Sequence, residues 1–164
     1  MTRQRRVELR HLGGMRFGAT TGTGRALEFG DAEEANEHSP VEMVTAAVAA
    51  CSAMDVVSIL EKKRQIPGEY SVRVEATQRD EYPQVLTRVD IFHELTGSSV
   101  TEAGVRRAIQ LSATKYCPVN AMLSAGDTAV HHHYRIRRSG TPPSEVAGEV
   151  VVTGPYRRPD VIGS

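Results

Sequence analysis

From Val7 to Arg10 apolar and polar residues alternate, Val7 and Leu9 against Glu8 and Arg10, and that period of two marks a half-buried strand. Residues 5–12 are read as this strand. Gly13-Gly14 is then a turn, Met15–Gly18 a second short strand and Arg25–Phe29 a third. The acidic stretch Asp31–Glu37 is expected to be a solvated loop. Here the period changes. Ser39-Pro40-Val41-Glu42 combines a cap residue, a proline at the first helical position and a glutamate at N3, which predicts a helix start. No breaker follows until Pro67-Gly68, so the helix is expected to reach about Gln65. Its first half is apolar on nearly every side (Val41, Met43, Val44, Ala46 to Ala50), which predicts burial all round.

Tyr70, Val72, Val74 and Ala76 alternate with polar residues, as do Val85, Thr87, Val89 and Ile91, and with Pro83 in the link they predict an antiparallel hairpin. Thr101 opens a second helix with Val105, Ala108, Ile109 and Ser112 on one face. Val130, His132, Tyr134 and Ile136 predict a further strand. Residues 139–164 hold four prolines and four glycines and read as a flexible C-terminal tail, with a short strand at Val150–Val152 at most. The expected architecture is an α+β domain over residues 1–138 followed by that tail.

Composition narrows the function classes. A chain of 164 residues has the usual size of one domain, and with no tryptophan and 5% aromatics its core must be mainly aliphatic. Twenty basic residues balance twenty acidic ones, so the basic excess of a nucleic-acid binder is missing. No signal-like segment opens the chain and no 18 consecutive apolar residues occur, so no membrane-spanning helix is expected and a cytoplasmic location is. In that compartment two cysteines stay reduced unless their disulfide is transient.

The candidate chemistry sits at those two cysteines. Cys51 lies about three turns into the first helix. Cys117 precedes Pro118, which can begin a helix but not continue one, so Cys117 is expected to cap a short helix whose amide donors lower a thiol's pKa. His131-His132-His133 is read as a solvated strand face, because only His131 and His133 share a side and no zinc-site pattern of cysteines or carboxylates accompanies them.

Ser39-Pro40-Val41-Glu42-Met43-Val44, then Ala49-Ala50-Cys51-Ser52-Ala53-Met54-Asp55-Val56-Val57, resembles the nucleophile helix of the OsmC/Ohr-like superfamily. Its names come from osmotically inducible protein C and organic hydroperoxide resistance protein. Lys115-Tyr116-Cys117-Pro118-Val119 resembles that family's second-cysteine motif, and the likeness covers about residues 5–138. The continuation Asp55-Val56-Val57-Ser58-Ile59-Leu60 looks most like a YhfA-like branch. The resemblance implies an OsmC-like fold, antiparallel sheets around two central helices, in a domain-swapped homodimer. It implies a cysteine-based peroxidase of the oxidative-stress response that reduces organic hydroperoxides, with Cys51 as nucleophile and Cys117 as resolving thiol. A dithiol, lipoyl-linked in the best-known relatives, would restore both thiols, and no metal or organic cofactor is needed.

The same family supplies an arginine from an early strand. Arg25 is the candidate, because it shares parity with Leu27 and Phe29 and so should point to the buried side, whereas Arg16 should face solvent. The family's orienting glutamate stands ten residues before the cysteine, and Val41 occupies that position. Glu42 is nine before it, about half a turn round the helix and about 13 Å along it. Asp55, one turn after Cys51, puts a carboxylate where a thiolate is wanted. A second function class stays open: a non-catalytic member binding a small hydrophobic ligand at the dimer interface.

Overall fold

The computed structural model describes residues 3–31 and 37–154. Two compact units divide the chain between Val44 and Thr45. The first carries β1 (Val7–Gly13), β2 (Arg16–Thr21) and β3 (Ala26–Phe29), an antiparallel meander in which Leu9 pairs with Ala19 and Ala19 with Leu27. Arg16 does not simply face water: it forms ion pairs with Glu28, at 3.5 Å, and with Glu37, whose side chain is only 2% exposed. The acidic loop is therefore not wholly solvated; its residues 32–36 lie outside the described ones.

The long helix α1 (Pro40–Lys62) begins where the cap and proline place it and continues into the second unit. There follow β4 (Glu69–Gln78), β5 (Leu86–Thr96), α2 (Glu102–Leu111), a single π-turn (Ser112–Tyr116), α3 (Pro118–Leu123), β6 (Ala129–Arg138) and β7 (Ser144–Thr153). The four strands form one sheet in the order β4-β5-β6-β7. The hairpin of β4 and β5 is antiparallel as expected, but β5 and β6 run parallel. An all-antiparallel sheet is thus corrected. The link from β5 to β6 carries both α2 and α3, and a helical crossover returns the chain in the direction it left.

A second correction concerns the tail. Residues 144–153 form β7, paired antiparallel with β6 along its length, so ordered sheet extends well past residue 138. Gly148 stands opposite Tyr134, where a Cβ would come within 2.9 Å of the phenol oxygen. The glycine that read as a loop residue is a strand position facing a buried ring.

One face of the sheet meets the helices. Val89, Ile91 and Leu95 of β5 and Val130, Tyr134 and Ile136 of β6 are buried, together with Val105, Ala108 and Ile109 of α2. Val56 and Leu60 of α1 join the same apolar cluster. Within this chain α1 buries one stripe, Val48, Ser52, Val56 and Leu60, rather than all sides, and Met54 is 73% exposed. Its mean hydropathy over 18 residues is 1.9, so α1 is long and apolar enough by composition to cross a membrane. Scattered Ser, Thr and Asp residues break the apolar run, but its Ala, Val, Ile and Leu residues keep that average high.

The helix ends three residues earlier than expected. Arg64 turns left-handed, with φ 57°, and Gln65 N–H donates to Leu60 C=O at 2.9 Å, a Schellman closure without glycine. Replacing Arg64 by glycine relieves the Cβ clash of that conformation at some cost in chain entropy. It is expected to stabilise the fold by roughly 0.5 kcal/mol, seen as a raised urea midpoint at unchanged m-value.

Candidate active site

Both cysteines belong to the second unit, and local sequence fixes where each one points. After α2 the π-turn closes with Cys117 N–H donating to Ser112 C=O at 2.9 Å. Pro118 disfavours helical backbone in the residue before it, and Cys117 accordingly has ψ 104°. Cys117 becomes the cap of α3, as expected, its Sγ accepting Asn120 N–H at 3.3 Å. On α1, Asp55 stands one turn beyond Cys51 and shares its side of the helix.

The two elements bring Cys51 Sγ, Cys117 Sγ and a carboxylate oxygen of Asp55 within 4.8 Å of one another. Both cysteines are free thiols, Cys117 buried and Cys51 partly so. Ser112, the residue that opens the π-turn, donates its hydroxyl to Asp55 Oδ2 at 3.0 Å and lies 3.4 Å from Ser52 Oγ.

The surroundings of Cys117 disfavour its thiolate. Burial pushes the Cys117 thiol up to about 12, and its hydrogen bond to Cys51 adds to the rise; the Asn120 and Val119 amides only partly oppose it. The expectation that the helix start would lower this pKa is overturned, because desolvation outweighs the cap in a site this dry. Cys117 stays a thiol at neutral pH. Burial also raises the Asp55 carboxyl, against the lowering pull of the Ser112 hydroxyl.

Asn120 was not singled out as a functional residue in the sequence, yet it ties Cys117 to the middle of the sheet. Its Nδ2 donates to Ala113 C=O at 3.2 Å and to Thr153 Oγ1 at 2.9 Å. The Ala113 carbonyl can only accept, so Asn120 Oδ1 must face the other way, where His132 Nε2 donates to it at 2.7 Å. His132 Nδ1 then accepts from His93 Nε2 at 3.4 Å, and His93 Nδ1 from the Tyr70 hydroxyl at 2.7 Å. Each histidine is neutral with one assigned proton, and burial depresses both, His132 to about 3 and His93 well below its ordinary value. The only sequence signal was parity: His132 alternates with Val130, Tyr134 and Ile136 on the core face. His131 and His133 share the outer face, and His132, of opposite parity, is fully buried.

The arginine candidate belongs to the first unit. Arg25 is an exposed residue of the first unit, in the turn before β3, with its backbone N–H on Thr21 Oγ1 at 3.1 Å. It precedes the strand, so strand parity does not aim it inward. Val41 and Glu42 also belong to the first unit, at the start of α1. Among the described residues two donor sets could hold a metal: Cys51, Asp55 and Cys117, and the set Asp90, His131 and His133.

A mixed α+β chain that brings two free cysteines and a carboxylate together beneath one sheet is a paired-thiol protein. Residues 32–133 match the family of OsmC-like proteins, and the chain belongs to that family. Protein YhfA of Escherichia coli is 41% identical over 95 residues, which make up 58% of this chain and 71% of YhfA. A hypothetical protein from Aquifex aeolicus, 24% identical, has a crystal structure that superposes with TM-score 0.76, covering 85% of this chain and 100% of its own. An organic hydroperoxide resistance protein from Elizabethkingia anophelis superposes with TM-score 0.63 at 15% identity, over 85% and 99% of the two chains. These structures share the fold with this chain.

Proposed function

We propose that the chain is a thiol peroxidase that reduces organic hydroperoxides as a homodimer, with Cys51 as nucleophile and Cys117 as resolving thiol. The observation that carries this reading is the meeting of two free thiols, whose sulfurs lie with an Asp55 carboxylate oxygen within 4.8 Å of one another. Cys117 is held protonated and hydrogen-bonded to Cys51, so attack falls to Cys51. Its thiolate takes the terminal oxygen of ROOH: an S–O bond forms, the O–O bond breaks, and the alkoxide leaves as ROH after gaining a proton. The resulting sulfenic acid is attacked by Cys117. Its thiol proton passes to Asp55, hydroxide leaves the Cys51 sulfur and is protonated to water, and a disulfide remains. An external dithiol then reduces the disulfide. The Elizabethkingia protein, an organic hydroperoxide resistance protein, supports the substrate class, and the exposed apolar residues of each unit, Val7 and Leu9 in one and Met54 in the other, support a second copy as their cover.

The other reading has its own observation. A cavity of about 520 Å³ between α1 and β4 is lined by Ala46, Ala49, Ala50, Ala53, Tyr70 and Val72. Ala49 and Ala53 each stand two residues from Cys51, about 200° around the helix, so this cavity faces away from the thiols. It would suit an apolar ligand in a protein that does no peroxide chemistry.

Titration with cumene hydroperoxide, counting free thiols, distinguishes the two. The peroxidase loses two thiols per equivalent of peroxide and gains an intramolecular disulfide, while Cys51→Ser retains its remaining thiol and consumes none. If the wild-type thiols ignore the peroxide, the catalytic reading is wrong.

A further inference from the structure

The outer face of the second unit's sheet carries a group of side chains that the thiol chemistry does not use. Asp90 of β5 is the register partner of His131 on β6, so the two stand side by side. His133 follows on the same face of β6, two residues on. A bulge in the β6–β7 pairing, between His132 and His133, sets Glu149 directly across from His133. Such bulges re-aim side chains next to sites.

The atoms converge. His133 Nε2 lies 2.8 Å from Asp90 Oδ1, and one donor atom from each of Asp90, His131 and His133 lies within 4.8 Å of the other two. The edges of a zinc tetrahedron with bonds of about 2.0–2.2 Å are roughly 3.4 Å, so small rotations about χ angles complete the geometry. The rings are already ordered. His131 and His133 are parallel within 8°, at 6.2 Å between centroids, and Phe92 stacks on His133 at 4.7 Å. Glu149 Oε2 stands 3.4 Å from His131 Nδ1 and 3.8 Å from His133 Nδ1. With His133 Nε2 on a metal, Glu149 is placed to take the proton of the other ring nitrogen, the carboxylate–histidine–metal arrangement that fixes tautomer and ring orientation.

Arg88 complicates and defines the site. It holds Asp90 by two bonds, Nε to Oδ2 at 2.5 Å and Nη2 to Oδ1 at 2.8 Å. A carboxylate has about four lone-pair sites, so Oδ1 keeps room for a further ligand, and the guanidinium keeps Asp90 ionised. It also repels a cation, which sets the affinity below that of a dedicated structural site.

We propose that Asp90, His131 and His133 bind a borderline divalent metal ion of the zinc type, with Glu149 orienting the histidines. Two imidazoles and one carboxylate leave a fourth position open, and that donor set suits Zn²⁺ or Co²⁺ over hard cations such as Mg²⁺ or Ca²⁺. The site is independent of the thiol reaction.

The test uses untagged full-length protein carrying Cys51→Ser and Cys117→Ser, which removes the other donor set. Calorimetric titration with Zn²⁺ at pH 7.5 is expected to show one site with micromolar Kd. His133→Ala is expected to weaken it at least a hundredfold, and Glu149→Gln tenfold to a hundredfold. Co²⁺ should give visible absorption of four-coordinate intensity that the His133→Ala protein lacks. Circular dichroism of the variants, whose changes lie on the outer face, confirms that they are folded. The proposal is overturned if the thiol-free protein binds no Zn²⁺ below millimolar concentration, or if folded His133→Ala binds it as tightly as its parent.

Discussion

Between pH 6 and 5 the folded protein is expected to lose about 2.4 kcal/mol of stability, approaching a limiting slope of about 2.7 kcal/mol per pH unit below that, and to unfold on further acidification, because two histidines must stay uncharged inside it. His93 and His132 are fully buried, and the network that satisfies them is complete only when both are neutral. In the unfolded chain each titrates near its ordinary value of about 6.5. In the folded protein burial depresses both, His132 to about 3. The stabilising contribution is therefore fully present above the unfolded value. It is lost as pH falls through the window between the unfolded and folded values. Two protons more on the unfolded chain give a slope of about 2.7 kcal/mol per pH unit, a large fraction of the 5–15 kcal/mol that holds a typical domain together. Asp90, lowered to about 2 by Arg88, adds loss of the same sign only below its own unfolded value. The raised Asp55 carboxyl acts oppositely, gaining stability as pH falls through its folded value. Urea unfolding at half-unit steps from pH 7 to 5 measures the slope. A slope of one proton or less would show that one of the two histidines is charged or solvated in the native state.

The same network shows why parity was worth more than composition in this chain. Val130, His132, Tyr134 and Ile136 were placed on one face by period alone, and all four are buried. Their identity as a histidine among apolar residues said nothing of its partners, since Tyr70, His93 and Asn120 come from β4, β5 and α3. Only folding brings those residues together. The thiol pair was legible because two local signals, a capped apolar helix and a cysteine before proline, each fixed a position. What the sequence could not carry was the balance at Cys117. The cap was visible in Pro118, but the burial that outweighs it depends on how the π-turn and α3 pack.

Other misses share that origin. The parallel pairing of β5 and β6 follows from a crossover over residues 97–128, which no alternation within either strand reports. Of β7 only the Val150–Val152 end was legible, and Gly148, whose presence serves the Tyr134 ring rather than a turn, hid the rest. The end of α1 was misplaced because Arg64, not glycine or asparagine, takes the left-handed position. The metal-type cluster was dismissed for want of nearby carboxylates, yet Asp90 and Glu149 stand beside the histidines as strand neighbours from 41 positions before His131 and 18 after it.

Asp55→Asn is expected to move the two steps of the proposed peroxidase reaction in opposite directions. Asparagine keeps the volume and can still accept the Ser112 hydroxyl, so the pocket persists. What it lacks is the charge and the basicity. Removing a negative charge from beside Cys51 favours the step in which that sulfur attacks as an anion, and its oxidation by cumene hydroperoxide should speed up several-fold. Resolution should slow. A Cys117 thiol held near 12 is almost wholly protonated at neutral pH, so disulfide formation needs a neighbouring base. Asp55 is the carboxylate at hand, and burial raises its affinity for a proton. General-base assistance contributes about 10²–10⁴-fold, so disulfide formation in Asp55→Asn should fall at least a hundredfold and the Cys51 sulfenic acid should accumulate. Rapid-quench sampling without reductant, with dimedone to trap the sulfenic acid and mass spectrometry to count disulfide, reads both steps in one experiment. Equal disulfide rates in the two proteins would leave Asp55 as a burden on the nucleophile that Ser112 merely neutralises, and would assign the proton of Cys117 to solvent.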